Sequence, residues 1–120
     1  MQLANRSAIV TGSSSGIGRA ICENLLHNGH KVIGLARDHT KFTTDASNYF
    51  PYSVDISNAN ATNKTLKEVL VKHSDISILI SNAGHGKFQS LENFSVPQIQ
   101  QFLNLNLTSH IVICQALVRH

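Results

Sequence analysis

The apolar stretch Ala8-Ile9-Val10 runs straight into Thr11-Gly12-Ser13-Ser14-Ser15-Gly16-Ile17-Gly18. That order reads as a strand, a glycine-rich turn and the start of a helix. Such a turn aims backbone N–H groups and the positive end of a helix at one point, the geometry with which an α/β protein holds a phosphate. A tight structural strand-to-helix turn would use the same glycines, so the surrounding pattern has to decide between the two.

The pattern repeats the alternation. Ser7 to Val10 is the first strand. The helix after the turn places Ile17, Ala20, Ile21 and Leu25 on one face, and Asn28-Gly29 ends it. Lys31 to Ala36 forms a second buried strand, residues 38–50 a polar loop or ragged helix, and Phe50 to Val54 a third strand ending at Asp55. Residues 58–72 read as a helix with Leu66, Val69 and Leu70 inward. Ile76 to Ser81 is a fourth strand, apolar on both faces, broken by Asn82-Ala83-Gly84. Ser95 is placed as an N-cap with Gln98 three residues on and Pro97 in the first turn, the signature of a capping box. That helix is expected to run from residue 96 towards the end, with Ile99, Phe102 and Leu103 inward and a bend near Asn104 to Asn106. Strands alternating with helices predict a parallel sheet, and right-handed crossovers predict a doubly wound Rossmann-type α/β fold of order 3-2-1-4. The glycine turn and Asn82-Ala83-Gly84 then meet on one rim, beyond the strand C-termini, where a ligand is expected.

Composition excludes several other classes. At 120 residues, the chain is at most one domain. Its ten Lys and Arg are scattered, with no run of three, which argues against a nucleic-acid face and fits a mild attraction for anionic cofactors. No apolar run approaches a membrane span, and Met1 to Arg6 lack the apolar core of a signal peptide. A cytoplasmic location is expected. Cys22 and Cys114 are expected to be buried free thiols, and the seven histidines show no metal-ligand spacing, so no metal is assigned.

The glycine spacing is G-x-x-x-G-x-G rather than G-x-G-x-x-G, but the physics is shared. Gly12 permits the tight exit from the strand, Gly16 lets backbone approach a pyrophosphate, and Gly18 lets the helix pack close to the sheet. Ser13, Ser14 and Ser15 add hydroxyl donors for phosphate oxygens. With Asp55 closing the third strand, Asn82-Ala83-Gly84 following the fourth, and Asn106-Leu107 in the long helix, the chain resembles the short-chain dehydrogenase/reductase family over nearly its whole length. Ser81 stands where the family's Asn-Asn-Ala-Gly has its first Asn, and Ser109 where members often have Gly.

That resemblance implies roles for the matched positions. The loop from Gly12 through Ile17 to Gly18 would hold the pyrophosphate. Asp55 would bond the adenine amino group and the Ile56 N–H would meet the ring, with capping of the following turn as the alternative role of Asp55. Asn82, Ala83 and Gly84 would line the cofactor ribose. Asn106 would be the asparagine of the catalytic tetrad, holding a water in a proton relay, with Asn104 as a competing candidate.

The residue ending the second strand discriminates between nicotinamides, because a carboxylate there binds both ribose hydroxyls and repels a 2′-phosphate. Here Ala36 is followed by Arg37, a guanidinium suited to a phosphate, so NADP is favoured over NAD. Asp38 would reverse the preference if the strand ran further. The family's chemistry is hydride transfer between nicotinamide and a carbonyl or alcohol, with a Ser, and a Tyr whose acidity is raised by a Lys four residues on. Tyr49 and Tyr52 are followed at that distance by Ser53 and Ile56. The expectation is therefore an N-terminal cofactor-binding half, residues 1–120, of a longer reductase, inactive by itself and lacking the catalytic half. The complete protein would be a homodimer or homotetramer acting on a small carbonyl or alcohol. His85, beside the glycine turn, is either an acid/base or a loop residue shaping the entrance. A non-enzymatic nucleotide-binding module and an acyl-carrier-linked ketoreductase are the alternatives.

Overall fold

The computed structural model describes residues 6–120; the leader reading of Met1 to Asn5 lies outside them. The element order is β1 (Ser7–Thr11), α1 (Gly16–His27), β2 (Lys31–Ala36), β3 (Tyr49–Ser53), α2 (Ala59–Lys72), β4 (Ile76–Ile80), a 3-10 turn (Leu91–Asn93), α3 (Val96–Leu103), a π-helical turn (Asn104–Thr108) and α4 (Ser109–Leu117). The four strands are parallel in the order β3-β2-β1-β4, the doubly wound order expected from the sequence.

Two apolar layers cover the sheet. Ile9, Ile33 and Leu35 meet Val54, Ile56, Leu66, Val69 and Ile113 on the side of α2 and α4. Val10 and Val32 meet Cys22 and Phe42 on the α1 side. Burying side chains of this size contributes about 1.5–3 kcal/mol each relative to leaving them exposed. At the end of the sheet away from the glycine turn, Asp75 accepts from the Ser7 hydroxyl at 2.7 Å and from Lys31 Nζ at 2.9 Å. Those two bonds hold its carboxyl down to about 2.

Three local expectations are corrected by packing. The α1 face against the sheet is Gly18, Ile21, Cys22 and Leu25, whereas Ile17 is 73% exposed and Ala20 is also outside. Gly18, packed against the Gly12 carbonyl and Asn82, stands on the covered face in place of Ile17. Ile99 and Leu103, expected inward on α3, stand 41% and 52% exposed; only Phe102 of the three turns in, edge-on to Phe94. Among the two free thiols, Cys22 is buried and Cys114 exposed. The capping box forms as expected, with Ser95 and Gln98 bonded reciprocally. Instead of a simple bend, the long helix passes through the π turn at Asn104–Thr108, where the Ser109 hydroxyl donates to the Leu105 carbonyl at 2.6 Å.

Candidate active-site cleft

A cleft of about 480 Å³ opens at the C-terminal rim of the sheet. Four segments form it: the loop Gly12 to Ile17, the β2 exit from Leu35 to Lys41, the β3 exit from Val54 to Ile56, and Asn82 to His85 after β4, with Gln101 and Leu105 closing one side. Sequence reasoning brought the glycine turn and the Asn82 turn to one rim, and residues of both line this cleft together with Arg37 and Asp55, whereas Gly16 and Gly18 are not among the lining residues.

The rim is held together by Thr11 and Asn82. The fully buried Thr11 hydroxyl accepts from the backbone N–H of Asn82 at 2.9 Å and of Ala83 at 3.0 Å. The Asn82 side-chain amide donates back to the Thr11 carbonyl at 3.2 Å. The ends of β1 and β4, where helices leave on opposite sides, are thereby tied. Gly12 makes the turn with φ +68°, a conformation that penalises any side chain. Gly18 packs so tightly that a Cβ there would overlap the Gly12 carbonyl oxygen and press on Asn82. At Gly16 nothing stands within 4 Å of where a Cβ would be, so the backbone faces open space at the start of α1. Ser15 caps that helix with extended backbone but makes no side-chain capping bond.

The three serines separate. Ser14 and Ser15 line the cleft. Ser13 departs from expectation: its side chain is fully buried, and its oxygen accepts from the Tyr49 hydroxyl at 3.2 Å. Ser13 lies in the turn that follows the positive-φ Gly12, and its side chain points towards Gly34 and β3. Its hydroxyl anchors the loop from behind and does not reach the cleft.

Asp55 caps the turn into α2, one carboxylate oxygen accepting from the Ser57 N–H at 3.0 Å and the Ser57 hydroxyl at 2.6 Å, and it lines the cleft as well. Ile56 lines it from a largely buried position. Arg37 is exposed at the β2 exit. The next residue, Asp38, accepts from the Thr40 N–H at 2.9 Å, and this bond holds its carboxyl below the usual range.

Asn106 and Asn104 are told apart by their contacts. The Asn106 amide bonds the His85 peptide at both ends, its oxygen accepting from the N–H at 2.9 Å and its nitrogen donating to the carbonyl at 2.8 Å. The π turn aims Asn106 at the loop after β4, while Asn104 is an exposed helix position. His85 stacks on Phe102, ring centroids 6.0 Å apart, at the cleft edge. The tyrosines lie elsewhere: Tyr49 against Ser13, and Tyr52 with its hydroxyl 3.3 Å from His73 Nε2. Thr11 was read as part of the glycine motif without a role of its own, and Lys41 and Gln101 escaped the sequence reading. Thr11 and Lys41 could have been suspected, the first as the last residue before the glycine turn, the second as a cation four residues past Arg37.

A family model described as short chain dehydrogenase matches residues 6–120. The NADPH-dependent 3-dehydrocapnine reductase of Ornithobacterium rhinotracheale is 33% identical over 119 residues, covering 94% of this chain and 42% of that protein. The 3-oxoacyl-[acyl-carrier-protein] reductase FabG of Buchnera aphidicola is 28% identical, covering 99% of this chain and 50% of its own length. Among solved structures, ligand-free aldohexose dehydrogenase of Thermoplasma acidophilum superposes with a TM-score of 0.87 at 27% identity, over 98% of this chain and 44% of that one. The chain thus spans half or less of the length of these relatives. With the strand order, the glycine cradle and the Asn82 turn all in place, the chain belongs to the short-chain dehydrogenase family.

Proposed function

We propose that this chain is the cofactor-binding half of an NADP-dependent oxidoreductase that interconverts a small carbonyl compound and its alcohol. The observation that carries the NADP reading is the β2 exit. No carboxylate ends that strand, and Arg37 lines the cleft just beyond it, ahead of Asp38, which lines it too with one oxygen turned to the Thr40 N–H. A guanidinium there pairs with a 2′-phosphate, whereas the ribose hydroxyls of NAD would need a free carboxylate.

The residues fit such a cofactor. The open backbone at Gly16, the Gly12 turn, Ser14, Ser15 and the α1 N-terminus suit a pyrophosphate. Asp55 and Ile56 flank the place of an adenine, with one Asp55 oxygen committed to Ser57. Asn82, Ala83 and Gly84 line the ribose side towards His85. When bound, the nicotinamide supplies or accepts the hydride. The chain's own residues bind and orient the cofactor, and Asn106 holds the His85 loop and serves the proton relay as the tetrad asparagine. His85 shapes the entrance. The Ser and Tyr-x-x-x-Lys of the family pattern are not among these residues, so the chain by itself is proposed to bind cofactor without turnover.

Ile99, Leu103, Leu107 and Ile111 recur every four residues along the long helix, and all are exposed. This stripe supports a homodimer or homotetramer of the complete protein, paired through that helix. Titrating the protein with NADPH and NADH, in the wild type and in Arg37→Ala, tests the cofactor reading. NADPH should bind more tightly in the wild type, and the advantage should fall by about tenfold or more in the variant, as expected for loss of a charge-assisted pair. Equal affinities in the wild type would remove the NADP assignment.

A further inference from the structure

We infer that Lys41 is a second specificity-determining cation for the 2′-phosphate, held over the cleft by a latch made of Arg19 and Phe42. The inference rests on the NADP reading above and goes beyond it, because Arg37 alone carried that reading.

The turn after β2 is polar, and a lysine in such a turn is ordinarily a solvated side chain. This turn is fastened at three points. Phe42, next to Lys41, is 4% exposed and packs in the core under α1, tilted on Tyr49 with centroids 5.1 Å apart. The Arg19 guanidinium lies 5.4 Å from the Phe42 ring centroid, and one of its nitrogens donates to the Lys41 carbonyl at 3.3 Å. His39 Nε2 is 2.8 Å from the Tyr52 carbonyl. A plugged aromatic on one side of Lys41 and a held carbonyl on the residue itself fix where its side chain starts, and Lys41 lines the same cleft as Arg37.

Arg19 is not itself a competitor for the phosphate. Its Nε donates to Glu23 at 3.0 Å, so its charge is paired along α1 while Nη1 holds the turn. The cations lining the cleft are therefore Arg37 and Lys41, facing the carboxylates Asp38 and Asp55. Asp38 is turned to the Thr40 N–H and Asp55 to Ser57, each by one oxygen. A dianionic phosphate between a planar guanidinium and a flexible ammonium matches the donors of both. A subsite of this kind draws its second cation from the turn, since the glycine loop offers Ser14 and Ser15 rather than a basic side chain.

The test is isothermal titration of the protein with NADPH, NADH and 2′,5′-ADP, in the wild type and in Lys41→Ala, Lys41→Arg, Arg37→Ala and Arg19→Ala. Lys41→Ala should weaken NADPH and 2′,5′-ADP by about fivefold, the equivalent of about 1 kcal/mol for a solvent-facing charge pair, and leave NADH unchanged. Lys41→Arg should restore most of the loss. Arg19→Ala should weaken the two ligands that carry a 2′-phosphate less, about two- to threefold, by loosening the turn. An Arg37→Ala loss of NADPH preference with Lys41→Ala indistinguishable from wild type would overturn this inference and leave the cofactor reading standing. Equal weakening of NADH and NADPH by Lys41→Ala would make Lys41 merely structural. A wild type without NADPH preference would overturn both.

Discussion

Two hydroxyls occupy the space where Gly34 would carry a side chain. A Cβ on this β2 residue would overlap the Tyr49 hydroxyl and come within 2.6 Å of the Ser13 oxygen. The bond between those hydroxyls joins β3 to the back of the glycine loop. Burial pushes the Tyr49 phenol up, so it remains a donor at neutral pH. Tyr49→Phe should lower unfolding free energy by about 1 kcal/mol, the usual net value of one buried bond, and Gly34→Ala by about 1–3 kcal/mol through overpacking. Urea denaturation measures both, and a Gly34→Ala protein as stable as wild type would contradict this packing. At the π turn, Asn106→Ala removes two bonds to the His85 peptide. It should speed hydrogen exchange of the His85 amide, while Asn104→Ala leaves that amide unchanged.

Among the elements, the end of α2 holds a histidine whose titration makes stability depend on pH. His73 ends α2 and is largely buried, tilted against Phe50 at 4.7 Å and edge-on to Tyr52. Burial first, then Lys31 and Lys72, lower its pKa, with Asp75 opposing them. The folded state therefore prefers the neutral ring. Stability is complete above the unfolded value of about 6.5 and declines as pH falls below it, where the unfolded chain takes up a proton the fold resists. Denaturation midpoints at pH 7.5 and pH 5.5 should differ, and His73→Phe should shrink the difference; an unchanged difference would remove His73 as its source. Element order was legible because its signals are local: the glycine turn, Ser95 as a cap, and strand-length apolar runs. The inward faces of α1 and α3 were less legible. Which stripe of a helix is covered depends on how closely it approaches the sheet and on what else packs there. For α1, Gly18 sets that approach, and for α3 the sheet does not reach Ile99 or Leu103.

For the whole molecule, the cleft is a sum of four segments that no window of sequence contains. The glycines, Arg37, Asp55 and the Asn82 turn were readable, since a parallel sheet of this order sends all strand C-termini to one rim. The inward turn of Ser13 was not, because three consecutive serines carry no polarity pattern. Lys41 was not, because its position follows from Phe42 entering a core formed with α1 and β3. The apolar stripe from Ile99 to Ile111 belongs to this scale as well. Leu103→Glu and Leu107→Glu should lower the mass of the complete protein in solution towards the monomer by light scattering, with secondary structure retained. An unchanged mass would move the interface elsewhere. The central claim is that this cleft binds a nicotinamide dinucleotide and selects it by its 2′-phosphate. Parallel calorimetric titrations of the wild-type protein with NADPH and NADH test it most directly. The account predicts NADPH tighter by about tenfold or more, the scale of one charge-assisted pair. NADH binding as tightly as NADPH, or no binding of either, would contradict it.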